Sequence, residues 1–340
     1  MNQKIKMKLN NIETINELEE KEKDKNTKTK EKKLVTKSAR QNNTNMTKIK
    51  EELNLQKKTE QYFNPKDFKY FEVMGKGEYG KIYLAQWVKK DNQYYAMKIE
   101  TFKEKEEAKK SQMTTKIIKE FLKSTNSEGV IKIFGDVCLK ENNLYHYYVL
   151  MEKAERDMEQ ELIIRCNNNQ FYSEKDIINV LIQLIIVLAQ MQKNNIAHRD
   201  IKPQNILIIK GRYKICDFGE AVILKNNGEI IQTLSGTELY MSPILFYGMR
   251  SQSLKVMHNV YKSDVFSLGL CILLAATLNY DSLCQIREVT DMNQIKNVLI
   301  YYLSRRYSNV FISFLYRMLE VDEKKRPDFI QLESMLVKKQ

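Results

Sequence analysis

The distribution of apolar and polar positions divides the chain into a stretch that cannot bury surface and a longer one that must. In residues 1–60, apolar side chains recur at threes and fours only over 9–18 and 46–55, enough for two transient helices. Residues 21–33 between them are nearly all charged or Thr, leaving little to offset the entropy lost on ordering. Residues 1–62 are therefore expected to form a basic, low-complexity, disordered arm. From Phe68 the pattern changes. Positions 70–74 alternate apolar and polar, 82–87 and 94–99 read as further strands, and hydrophobic strands are expected at 130–137 and 144–151. Residues 104–124 carry a charged helical pattern. Ser173 opens a helix with a capping-type Ser-Glu-Lys-Asp, and 177–191 is apolar almost all round, as in a helix buried within a helical lobe. Short buried strands at 206–209 and 213–216 flank Lys210-Gly211-Arg212, and helical patterns at 293–304, 308–319 and 328–337 follow.

The composition narrows the setting. A hydrophobic fraction of 43% with 13 Phe and 19 Tyr is ample for a large core in 340 residues. The net charge is +13, and residues 1–60 hold 16 Lys/Arg against 10 Asp/Glu, so the excess is spread along the chain. Such a field favours solubility and attracts anionic partners. No aromatic-studded groove motif accompanies the basic arm, so nucleic-acid binding is not expected. The five cysteines (138, 166, 216, 271, 284) are odd in number and lack CxxC spacing, which fits free thiols in a reducing compartment and not a disulfide framework or zinc site. The first residues lack the apolar core of a signal peptide, and Asn2 excludes myristoylation. The longest apolar run, 266–278, is too short to span a bilayer. An intracellular, cytoplasmic location is the expectation.

Candidate chemistry concentrates in Ile-Ala-His-Arg-Asp-Ile-Lys-Pro-Gln-Asn at 196–205, followed by Cys-Asp-Phe-Gly at 216–219. Asp200 can accept a hydroxyl proton, and Lys202 can neutralise charge on a transferred phosphoryl group. Asn205 and Asp217 offer the hard oxygens that Mg²⁺ prefers. Upstream, Gly75-Lys76-Gly77-Glu78-Tyr79-Gly80 precedes a β-type stretch starting at Ile82, suiting a hairpin whose bare backbone approaches phosphates. A helix would follow in a dinucleotide-binding turn.

These residues resemble the conserved loops of the eukaryotic-type protein kinases, Ser/Thr class: His198-Arg199-Asp200-Ile-Lys202-Pro-Gln-Asn205 with Asp217-Phe218-Gly219. The resemblance implies an α+β bilobal protein kinase fold over residues 68–337. It would have a small antiparallel sheet lobe (about 68–151) with one mobile helix, and a larger helical lobe (about 155–337). It implies ATP and Mg²⁺ as cofactors and a protein Ser/Thr hydroxyl as acceptor. Asp200, Lys202 and Asn205 would be catalytic, with Asn205 and Asp217 holding metal. The segment Gly75 to Gly80, with Tyr79 capping the phosphates, and Ile82 would contact nucleotide. Ala96-Met-Lys98 resembles the strand whose Lys grips the first two phosphates. Glu120 on the 104–124 helix is expected to pair with Lys98. Met151 would control the back of the adenine pocket, and the backbone of Glu152 and Ala154 would hold adenine. Asp157 would reach the ribose or cap a helix. Thr237 would bond to Asp200 and Lys202. Thr233 stands where an activating phosphate sits, within reach of Arg199.

Two departures qualify the resemblance. The family ends its docking segment with Pro-Glu, whereas this chain has Ser242-Pro243-Ile244; Arg326, the usual partner of that carboxylate, must find another acceptor. The interval from Ile244 to Asp264 is long, suggesting a surface insertion. An alternative function is a pseudokinase scaffold that binds nucleotide or partners without turnover. A small-molecule kinase is disfavoured by Gly236-Thr237, which suits a peptide hydroxyl.

Overall fold

Alternation along the first half of the folded region becomes a five-stranded antiparallel sheet. Its strands are β1 (Phe68–Lys76), β2 (Gly80–Trp87), β3 (Tyr94–Phe102), β4 (Ile133–Glu141) and β5 (Leu144–Glu152), in the order β1-β2-β3-β5-β4. The computed structural model describes residues 64–337, except 78–79, 90–92, 225–227, 234, 254, 288 and 290. The expected 1–62 arm and the glycine-loop residues Glu78 and Tyr79 lie outside the described residues. Central strand β3 is anchored by Tyr95, whose ring meets Phe68 and Phe134 edge-on with centroids 6.0 and 5.5 Å apart. Helix α1 (Lys105–Thr125) packs on β3, β4 and β5 through Ala108, Ile118 and Phe121. It stops at Asn126, which turns left-handed (φ 49°) and donates its N–H to Leu122 O.

The expected strand at 130–137 begins only at Ile133. Its first residues are diverted: Ile131 N–H donates to Ile215 O at 2.9 Å, and Ile215 N–H donates to Gly129 O at 2.8 Å. These bonds tie the sheet lobe to the hairpin that carries the chemistry.

Beyond Glu152 the chain is mostly helical. Strand β6 (Arg156–Asp157) leads into α2 (Met158–Asn167), and α3 (Glu174–Lys193) is capped by Ser173, whose hydroxyl accepts from Asp176 N–H. Strand β7 (Ile196–Ala197) and the hairpin β8 (Ile206–Ile209)–β9 (Arg212–Ile215) follow, β6 pairing with β8. Then come β10 (Val222–Ile223), paired with β7, and β11 (Glu229–Thr233). Helix α4 (Pro243–Arg250) and strand β12 (Lys255–Asn259) precede α5 (Val260–Thr277). The fold closes with α6 (Asp281–Arg287), α7 (Met292–Leu303), α8 (Asn309–Met318) and α9 (Phe329–Val337).

Every residue of α5 except Lys262 is buried. The helix starts earlier than its apolar run because Asn259 caps it, accepting from Lys262 N–H at 3.2 Å. Helix α5 is long and apolar enough to cross a membrane, but 89% of it is buried inside the fold, as befits the core of a helical lobe. The long 244–264 interval supplies α4 and β12, and β12 pairs antiparallel with β11 from Glu229↔Asn259 to Thr233↔Lys255. A surface insertion was expected; a strand that clasps the segment after Asp217 was not. Its short, mixed sequence has no clear period.

Ile244 packs against an apolar cluster of Met241, Leu245 and Phe246. Arg326, 1% exposed, donates instead to three carbonyls: Glu320 O at 2.6 Å, Lys262 O at 2.9 Å and Val321 O at 3.2 Å. Its guanidinium also lies 4.9 Å from the centre of the Phe266 ring. Burial pulls its pKa down to about 10, against the opposing pull of Glu323, Glu320 and Asp322.

Candidate active site

The two acidic loops are set by one hairpin. Ile206 pairs with Ile215 at the open end of β8–β9, so Asn205 and Asp217 project from neighbouring strand ends, with Cys216 N–H bonded to Asn205 O at 3.0 Å. A 3-10 turn, Pro203–Asn205, aims Asn205 back at the loop, where its Nδ2 donates to Asp200 O at 2.8 Å and Oδ2 at 3.0 Å. His198 is fully buried between the loops. It accepts at Nδ1 from Asp200 N–H and donates from Nε2 to Cys216 O at 3.0 Å. Burial holds its pKa below the ordinary value, so the ring stays neutral and the same tautomer serves both bonds.

Arg199 and Asp217 both adopt positive φ, 67° and 56°. The first is held by Asp264, whose carboxylate accepts from His198 N–H at 2.9 Å and from Arg199 N–H at 2.9 and 3.2 Å. Burial pushes the Asp264 carboxyl up to about 7, although these bonds oppose the rise.

Asp200 is the centre of a polar knot. Its Oδ1 accepts from Thr237 N–H and Thr237 Oγ1–H, each at 3.0 Å, while Lys202 Nζ lies 2.7 Å from its Oδ2. Lys202 also donates to Thr237 Oγ1 at 2.8 Å. Thr237 thus bonds to both partners. Gly236 before it has φ +102°, and a side-chain carbon there would stand 2.9 Å from Arg199 O. Only glycine lets the segment come this close.

From the sheet lobe, Lys98 Nζ reaches Asp217 Oδ1 at 3.2 Å. Burial alone would lower the Lys98 pKa, but Asp217 and Glu100 outweigh it and raise it. Lys98 in turn holds the Asp217 carboxyl below its ordinary range, overcoming burial. Two lysines, two carboxylates, an amide and a hydroxyl therefore converge between a sheet lobe and a helical lobe. The model of the protein kinase domain matches residues 68–336. The chain belongs to the protein kinase family.

Among relatives of this kinase is calcium-dependent protein kinase 6 of Plasmodium berghei, 30% identical over 260 residues, covering 75% of this chain and 16% of the relative. The probable serine/threonine-protein kinase nek3 of Dictyostelium discoideum is 28% identical over 266 residues, 76% of this chain and 22% of that protein. The membrane-associated tyrosine- and threonine-specific cdc2-inhibitory kinase wee-1.3 of Caenorhabditis elegans is 26% identical over 243 residues, 67% of this chain and 32% of its own. The kinase thus spans a third or less of the length of these relatives.

The remaining expected residues divide clearly. Gly75 and Lys76 end β1, and the N–H of Gly77 just beyond it closes the loop onto Gly80 O at 2.9 Å. Gly80 has a further reason to be glycine: a side-chain carbon there would fall 2.0 Å from Ile99 O and break the β2–β3 pairing. Ile82 pairs with Lys98, and Ala96 with Met151, so these side chains line adjoining strands of one sheet. Glu152 N–H is bonded to Lys132 O at 3.0 Å. Asp157 caps α2, accepting from Gln160 N–H at 2.8 Å in a reciprocal capping box. Arg199 donates to Glu220 O at 3.3 Å. The backbone of Thr233 ends β11, while its side chain lies outside the described residues.

Glu120 requires correction. It lies on the solvent face of α1, with its side chain 68% exposed and 4.0 Å from Lys116 one turn earlier. Nor do Glu106 and Glu107 reach Lys98: both are exposed, and Glu106 pairs with Lys109. The carboxylate beside Lys98 is Glu100, 2.9 Å away on the same strand. Its signal was present in the sequence, since residues two apart on a strand share a face and an acid at a buried strand position needs a partner.

Asn205 and Asp217 suit magnesium, presenting one amide oxygen and one carboxylate between charged neighbours. Among the described residues no group of three or more His, Cys, Asp or Glu could hold a metal ion alone. A divalent cation here would therefore complete its shell with phosphate oxygens and water. Burial drives the thiol of Cys216, next to Asp217, up from its ordinary value.

Proposed function

We propose that this kinase transfers the terminal phosphoryl group of ATP to serine and threonine hydroxyls of protein substrates. The observation that carries this reading is the Asp200–Thr237–Lys202 knot. It fixes a base carboxylate and a cation on the segment where an acceptor would lie. Asp200 would take the hydroxyl proton, an effect of roughly 10²–10⁴-fold, while Lys202 balances charge on the transferred group. Lys98 would hold the nucleotide's first phosphates, and Asn205 and Asp217 would hold Mg²⁺, whose bound charge would neutralise the phosphate oxygens. The rest is positioning, which dominates phosphoryl transfer. Glu152 and Ala154 would meet adenine, and Asp157, whose Oδ1 caps α2, would offer its other oxygen to the ribose.

Five free cysteines support an intracellular, cytoplasmic setting. The acidic segment 155–161 does not support a basic-directed substrate. Glu155 accepts from Lys210 N–H, Asp157 caps α2, Glu159 accepts from Gln204, and Glu161 binds Arg156 and Arg165. Thr233 is the proposed regulatory phosphosite: it ends the strand clasped by β12, where about two added charges would alter the clasp.

Acid hydrolysis of labelled autophosphorylated protein tests the acceptor class. Phosphoserine and phosphothreonine are expected, with Thr233→Ala losing one labelled peptide; label confined to phosphotyrosine would overturn the assignment. A scaffold without turnover would take up no label at all.

A further inference from the structure

Lys98 has two acidic neighbours, and Asp217 belongs to the metal-binding loop. The other, Glu100, is the unassigned one. It is 6% exposed, and every polar contact it makes is local to the site: Oε1 lies 2.9 Å from Lys98 Nζ, and Oε2 accepts from Ser111 Oγ–H of α1 at 2.5 Å. Resting on the kinase reading above, we propose that Glu100 is the positioning residue that aims Lys98, and that α1 contributes only the Ser111 hydroxyl to this arrangement.

Three features of the fold support this. Lys98 and Glu100 occupy alternate positions of β3, so their side chains leave the same face and the contact needs no other element. Both residues sit in the middle of the sheet, between β2 and β5, where backbone pairing (Lys98↔Val149, Glu100↔Tyr147) fixes their spacing. The three acids of α1 point elsewhere: Glu106 and Glu120 face lysines on their own helix, and Glu107 is exposed. A lysine held from within its own strand stays aimed at Asp217 when α1 shifts. The hydroxyl of Ser111 then acts as a latch on Glu100, drawing one carboxylate oxygen toward α1 and leaving the other for Lys98.

The test is steady-state kinetics on the full chain, with ATP and a generic basic acceptor protein varied separately, and the thermal shift induced by Mg-ATP measured in parallel. Glu100→Gln keeps the shape and removes the charge. Its kcat/KM for ATP should fall at least tenfold with the acceptor KM unchanged, and the Mg-ATP shift should shrink. In a Lys98→Met background the same change should add nothing, because Glu100 acts through Lys98; a purely structural role would lower the apo melting temperature equally in both backgrounds. Glu120→Ala should match wild type. If Glu100→Gln does not fold, Glu100→Asp, with a shorter reach, should raise the ATP KM at least threefold. Wild-type ATP kinetics and thermal shift in whichever variant folds would overturn the proposal. Absence of turnover in the wild type would instead strike the kinase reading, and the Mg-ATP shift would still decide the role of Glu100.

Discussion

Strained backbone at two residues carries the site. Positive φ at Arg199 and Asp217 costs about 1–3 kcal/mol each and persists only where surroundings over-determine it. For Arg199 the restraint is Asp264, reaching from the second turn of α5 to two backbone N–H groups. Replacing it by Ala leaves two buried donors without an acceptor, at about 1–3 kcal/mol apiece. Asp264→Ala should therefore lower both the unfolding free energy in urea and the turnover number, whereas a variant with unchanged turnover would mean the loop holds its own shape. Residues whose role follows from a motif were legible here: Asp200, Lys202, Asn205, Asp217 and Thr237 all meet in one place. Glu120 was not, because helix register across a gap of uncertain length cannot be counted from the sequence. The acid that does meet Lys98 lies two positions away on the same strand, and not on the helix where the partner was expected.

Elements with a strong period were equally legible. The strands at 82–87 and 206–209 and the helices after Ser173 and near 293–304 and 308–319 fall where the pattern puts them, give or take a residue or two at each end. What periodicity could not reveal is pairing between distant short segments. β12 has five residues and becomes a strand only because β11 lies alongside it. This clasp makes a prediction about backbone alone. Met257 is 62% exposed, so Met257→Ala removes little, while Met257→Pro removes a donor and restricts the strand. Loss of about 1 kcal/mol of pairing should speed amide exchange across 229–233 roughly fivefold in the Pro variant and leave the Ala variant near wild type. Equal protection in both would show that the segment is held from elsewhere.

At the scale of the whole domain, the helical lobe buries charge-bearing groups, among them His258, Asp264 and Arg326. His258 is buried against Ser263, bonded at 2.8 Å, and burial together with Arg199 and Arg326 depresses its pKa to about 4. A depressed histidine binds its proton in the unfolded chain first, so its contribution is present above about pH 6.5 and is lost as pH falls toward 4. Asp264, raised to about 7, works in the opposite direction over an overlapping range, its contribution falling as pH rises. The difference between wild type and His258→Gln isolates the histidine: the wild-type unfolding free energy from urea titration should fall more steeply between pH 6.5 and 4, by an amount of the order of 3 kcal/mol at the acid end. Parallel pH curves would mean that the ring is solvated when it charges. The lobes themselves, and the cleft where Lys98 meets Asp217, place one demand above all on the chemistry. Incorporation of labelled phosphate from ATP into a generic acceptor protein, compared between wild type and a folded Asp200→Asn variant, tests it directly. Steady incorporation by the wild type and a loss of at least a hundredfold in the variant are predicted; equal incorporation by the two would contradict the assignment of Asp200 as the base.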